Sequence, residues 1–147
     1  MASASEQTAF QRLRSGIPAP ESGSIALNGP IVAEQIGAQI FSDGWAMVCP
    51  HDPDGAVVLA RAAAQVSHDG VAVDAACLLA AMAAAAFGGH DIPTLLQIGL
   101  ERVSPDSAIA RLATELLHIV GVNRIGGRRG YGWQPTTATT AIQAIVM

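Results

Sequence analysis

Apolar residues return every four positions at Val32, Ile36 and Ile40, directly after Asn28, Gly29 and Pro30. That is the period of one helix face. Proline is well tolerated in the first turn, where N–H groups have no intrahelical acceptor, so the spacing predicts a helix opening at Pro30. The same punctuation recurs. Asp52 with Pro53 opens a run to about Val66, Asp69 precedes a run ending at Gly88 and Gly89, Asp91 precedes Ile92 and Pro93, and Ser104 with Pro105 opens a run to Val120. Each places a side-chain oxygen where the first backbone N–H groups of a helix need an acceptor. Five helices and no strand are expected, hence an all-α fold built as a compact orthogonal helical bundle.

Within these runs the apolar positions are thin. Ala60, Ala62, Ala63 and Ala64 lie in one, and Ala80, Ala81 and Ala83 to Ala86 in the next, so the helix axes can approach closely. Ile109, Leu112, Leu116, Leu117 and Val120 form a more usual amphipathic stripe. Upstream, IPAPESGS reads as extended or turning chain, because a residue before proline is pushed out of the helical region. Residues 1–30 are therefore expected to be a loop-like lead-in to a helical domain ending at 120. From Gly121 the chain becomes a glycine- and threonine-rich tail, 121–147, unlike the rest.

A length of 147 residues, half of them apolar, suits one domain. The formal charge of −4, with basic residues scattered apart from Arg124, Arg128 and Arg129, argues against a nucleic-acid partner. Cys49 and Cys77 are too few for a disulfide framework and have no ligand-spaced neighbours, which fits free thiols in a reducing compartment. The first residues, MASASEQTAFQRLRSG, lack the apolar core of a secretory signal. A cytoplasmic protein is expected. The stretch VAVDAACLLAAMAAAAF is short for a membrane span and contains Asp74, so a buried helix is expected and no membrane partner.

Several stretches could carry chemistry. HDPD, His51 to Asp54, and SHDG, Ser67 to Gly70, each bring imidazole and carboxylate together. Helix capping accounts for the first. In the second, His68 stands at a helix start beside a glycine, where backbone donors attract anions. No serine lies in a GxSxG elbow, and neither cysteine has a neighbour that favours its thiolate. The stretch EQIGAQIFSDGWAMV gathers Phe41, Asp43, Gly44 and Trp45 within five residues. Phe41 and Trp45 could share a core-facing side of a continuing helix, or Asp43, Gly44 and the indole could lie against a flat ligand.

The blocks GIPAPESGSIALNG, EQIGAQIFSDGWAMV, SHDGVAVDAA and SPDSAIARL, in this order, resemble the middle of the ADP-ribosylglycohydrolase family over about residues 10–120. The resemblance implies an all-helical hydrolase that removes ADP-ribose from modified side chains, with two magnesium ions acting as Lewis acid and template. It also implies that Gly37, Gln39, Asp43, Gly44 and Trp45 wall the ADP-ribose and that His68 faces its ribose or diphosphate.

The family's acidic metal-binding clusters are not matched: no Thr-Asp-Asp cluster and no Asp-x-Asp-Thr run occurs. The chain is accordingly expected to be a truncated portion that holds no metal of its own and is inactive alone. The alternative is a non-catalytic helical module that binds ADP-ribose weakly or self-associates. The family's YGYDRYPGNCH-like segment is also absent, yet WQPTTATTAIQAIVM can be encoded so that a shifted frame reads AADHGYDRYPGNCH. Trp133 to Met147, with a short stretch upstream of it, is thus expected to be a frameshifted translation, which the coding DNA would decide.

Overall fold

The computed structural model of the chain describes residues 3–125, with side chains through His118. The frameshift expectation for Trp133 to Met147 lies outside the described residues. Among the described residues all regular structure is helical: α1 Ala4–Arg14, α2 Ile25–Asn28, α3 Pro30–Ala33, α4 Gly37–Ile40, α5 Ser42–Met47, α6 Pro53–Ala64, α7 Gly70–Ala86, α8 Ile92–Leu100 and α9 Ala108–Ile125, with one 3-10 turn at Glu21–Gly23. The all-α expectation holds.

The predicted caps are formed at three helix starts. Asp52 accepts from the Gly55 N–H at 2.9 Å, Asp69 from the Gly70 N–H at 2.8 Å, and Asp91 from the Thr94 N–H at 3.1 Å. At α9 the cap is Ser107, whose hydroxyl accepts from the Ala110 N–H at 3.1 Å, three residues beyond the expected Ser104.

Two expectations are corrected. The lead-in is not all loop, since α1 occupies Ala4–Arg14. Its start is fixed by a local signal, Ser-Ala-Ser-Glu, in which Glu6 Oε2 accepts from the Ser3 N–H at 2.7 Å. Ser5 then docks the helix by donating its hydroxyl to the Val32 carbonyl at 2.6 Å.

The single helix expected from Pro30 is broken into α3, α4 and α5. The break follows from tertiary demand on this backbone. The Ala33 carbonyl accepts from the Asp69 N–H at 3.0 Å, and Glu34 Oε1 accepts from the Val71 N–H at 3.1 Å, so both serve the start of α7. Ile36 and Ile40 are accordingly exposed, while Ala33, Gly37 and Ala38 face inward.

The central element is α7, packed by α4, α5, α6, α8 and α9. It is apolar on nearly every side, as a helix surrounded by others must be. On α6 the buried residues are Ala56, Ala60 and Ala64, one per turn, and they meet Ala72, Ala76, Ala80 and Ala84 of α7. Ala62 is exposed, so the alanine run has a polar-facing side. Gly99 lets α8 cross α7 closely, since a Cβ there would lie 2.9 Å from Met82 Cγ and 3.1 Å from the Leu78 carbonyl oxygen. Larger side chains, Leu78, Leu96 and Val103, fill the core between α7, α8 and α9, and burying each contributes about 1.5–3 kcal/mol. Among the described residues no helix is long and apolar enough to cross a membrane.

Candidate functional site

The connection from α6 to α7 turns tightly, with the N–H groups of Ser67 and His68 both donating to the Ala64 carbonyl, at 3.1 and 2.8 Å. This turn drives the His68 ring into the interior, where the residue is only 1% exposed. Its Nδ1 lies 2.8 Å from Ser67 Oγ. Its Nε2 is buried and has no hydrogen-bond partner. The ring reaches this position because Gly37 has no side chain: a Cβ there would sit 2.8 Å from His68 Nε2 and 3.0 Å from Glu6 Oε1. Phe41 meets the ring edge-on, with centroids 6.2 Å apart. Burial pushes the His68 pKa below the ordinary 6.5, against an opposing pull from the Glu6 carboxylate. The ring is therefore neutral near pH 7, with one nitrogen to donate and one to accept.

The N-terminus of α7 does not offer the free donors expected beside His68. Its first N–H groups are already taken, Gly70 by Asp69 Oδ1 at 2.8 Å and Val71 by Glu34 Oε1 at 3.1 Å. The other Asp69 oxygen accepts from the Ile25 N–H at 2.9 Å. An anion arriving there would meet two carboxylates, so the helix end serves folding and not phosphate binding.

The remaining sequence-expected residues fall in different surroundings. Gly37 and Gln39 belong to α4, and Gln39 Oε1 is buried without a hydrogen-bond partner, like His68 Nε2. Asp43 borders an open, mainly apolar pocket of about 360 Å³ lined also by Ala46, Met47, Ala83, Ala86 and Phe87. Gly44 is exposed, with open space where a Cβ would be. Trp45 is half-buried, with its indole packed against the alanine seam of α6 and α7. Phe41 and Trp45, four residues apart, thus pack on different neighbours because the helix is interrupted between α4 and α5. Glu6 and Ser67, which adjoin His68, were not among the expected site residues. The Ser-Ala-Ser-Glu start signal could have placed Glu6 on a helix, but nothing local pairs it with a histidine 62 positions later.

All twelve acidic residues of the sequence lie between Glu6 and Glu115, inside the described range. Most are committed separately. Glu6, Asp52, Asp69 and Asp91 accept from helix N–H groups, Glu34 accepts at α7, and Asp54 pairs with Arg102 at 2.9 Å. Asp74 faces Arg61 at 4.0 Å, and burial pushes its pKa up. Among the described residues no three His, Cys, Asp or Glu side chains gather to hold a metal ion. Magnesium needs converging oxygen ligands in near-octahedral geometry, and this donor set does not fit a two-magnesium centre.

The sequence matches the model of the ADP-ribosylglycohydrolase family over residues 2–147, beyond the stretch covered by the four motif blocks. No curated protein and no solved structure matches the chain.

Proposed function

Because the chain belongs to the ADP-ribosylglycohydrolase family, we propose that it forms one wall of an ADP-ribose seat in a hydrolase of ADP-ribosyl glycosidic bonds. Gly37, Gln39 and His68 are the centre of that wall, Asp43 and Gly44 its exposed continuation, and Trp45 its support. The observation that carries the reading is the His68 ring, fully buried over a glycine with Nε2 unpartnered. A buried polar atom left unpaired costs about 1–3 kcal/mol, and a ligand oxygen reaching it would recover that cost. The carboxylates that hold magnesium in the family are not supplied, in this reading, by residues 1–147, and the chain alone does not turn over.

Calorimetry and thermal melting of the purified chain test this. ADP-ribose is expected to bind and to raise the melting temperature, as any ligand of the folded state must, with no dependence on magnesium and no release of ADP-ribose from a modified peptide. Magnesium-dependent release by the chain alone would overturn the inactive reading, and no binding at millimolar ADP-ribose would overturn the seat.

A second reading is self-association through apolar residues that the fold leaves outside. Ile31, Ile40, Met47 and Val48 are all exposed, at 87, 67, 68 and 66%. Exposed apolar side chains favour association where they adjoin, and sedimentation showing a monomer up to about 100 μM, well above the Kd of a stable dimer, removes this reading.

A further inference from the structure

The two oxygens of Glu6 face different tasks. Oε2 accepts from the Ser3 N–H at 2.7 Å and closes the first turn of α1. Oε1 points across Gly37, where it and His68 Nε2 both lie within 3.0 Å of the position a Cβ would take, so the two atoms are no more than about 6 Å apart. On the opposite edge of the ring, Ser67 Oγ is 2.8 Å from Nδ1 and can donate or accept. Ser67 therefore follows whichever tautomer the other edge selects, and the charged group at that other edge is Glu6. A carboxylate at this range in a buried setting favours an N–H dipole pointed toward it over a lone pair.

We propose that Glu6 is a positioning residue for His68, holding the imidazole in the tautomer whose proton is on Nε2, so that Nε2–H is the donor the site offers to a ligand oxygen. The proposal deepens the ADP-ribose reading and rests on it for the identity of that ligand, while the tautomer itself is a property of the free chain. Ser67 then donates its hydroxyl proton to Nδ1. Gly37 is the residue through which the two groups see one another, since any side chain there would separate them. In the free protein the Nε2–H is a buried donor without an acceptor, which is the state a binding oxygen relieves.

Nitrogen-15 NMR of the full chain with labelled histidine reads the tautomer directly, and His68→Asn assigns the signal. The wild type is expected to show the Nε2–H form. Glu6→Gln should lower the ratio of Nε2–H to Nδ1–H by about fivefold, the order expected for loss of a unit charge acting on a ring dipole at this range. Glu6→Asp should restore part of it, and Ser67→Ala should leave Nε2–H dominant. An Nδ1–H ring in the wild type overturns the proposal. So does an unchanged ratio in Glu6→Gln with helix content retained. Should Glu6→Gln lose helix content, Ser67→Ala decides, since a flip to Nδ1–H there would make Ser67 the determinant. No ADP-ribose is present in these measurements, so their failure is distinct from failure of the binding reading.

Discussion

The seam between α6 and α7 and the corner where α1, α4 and the α6–α7 turn meet are both buried, yet they are built by opposite means. The seam is alanine on both sides, with Ala56, Ala60, Ala80 and Ala84 all at or below 2% exposure. Alanine loses no side-chain entropy on folding and lets helix backbones approach, so the seam is tight and chemically empty. The corner is polar: Glu6 and His68 meet over Gly37, Ser67 holds the far edge of the ring, and one ring nitrogen is unpaired. Close approach in the seam serves packing alone. At Gly37 the same lack of a side chain brings a buried imidazole next to a carboxylate.

The sharpest break of this contrast is Ala80→Leu. Ala80 is 0% exposed between the helices, and added methylenes there must force the axes apart, at an expected cost of about 3 kcal/mol, the upper end for overpacking. Ala62→Leu, on the exposed side of α6, should stay within about 0.5 kcal/mol of wild type. Urea midpoints measure both. A loss below about 1 kcal/mol at Ala80 would mean the seam has slack that this packing does not show.

The two glycines of the EQIGAQIFSDGWAMV stretch give a smaller but more discriminating test, because the sign should differ. Gly37→Ala brings a Cβ to 2.8 Å from His68 Nε2 and 3.0 Å from Glu6 Oε1. The carboxylate can swing away, but the ring is fixed by Ser67 and Phe41, so a loss of about 1–2 kcal/mol is expected, together with weaker ADP-ribose binding. Gly44, in α5, has nothing within 4 Å of its Cβ position. Gly44→Ala should gain about 0.4–1 kcal/mol from reduced unfolded-state entropy and better helix propensity. Equal signs in thermal or urea unfolding would show that Gly37 has no special role.

How much of this was legible follows from range. The caps at Asp52, Asp69 and Asp91 are contacts within three residues, and the sequence displays such pairs directly. The alanine runs likewise announce close helix packing before any partner is known. The broken segment after Pro30 was not legible, because its breaks are set by Asp69 and Val71 reaching back to Ala33 and Glu34. Periodicity at Val32, Ile36 and Ile40 pointed to a buried face that the structure leaves largely in solvent. For the site, the motif blocks pointed to both Gly37 and His68, and the structure brings them together. Glu6 escaped because its capping role is local and its position against His68 is purely tertiary. The helix start beside His68 looked open in sequence, where a glycine follows an aspartate, but Glu34 arrives from elsewhere to occupy it.

The last expected effect concerns the charge state of the corner. Burial holds the folded His68 pKa below the ordinary 6.5, with Glu6 opposing in part. The unfolded chain therefore takes up a proton in a pH range where the folded ring refuses it. Stability from the neutral ring is complete above pH 6.5 and is lost as pH falls through that value toward the folded pKa. One such group gives a slope of at most about 1.4 kcal/mol per pH unit. Asp74, whose pKa burial raises, acts in the opposite sense and over the carboxylate range, where rising pH weakens the fold. The His window is therefore separable. His51, His90 and His118 are exposed, so His68→Gln should remove most of the stability change between about pH 7.5 and about pH 5.5, the range over which an ordinary histidine titrates. A wild-type urea midpoint that stays level over that range would mean the folded ring charges freely, and the corner would then be as open to water as the seam is closed.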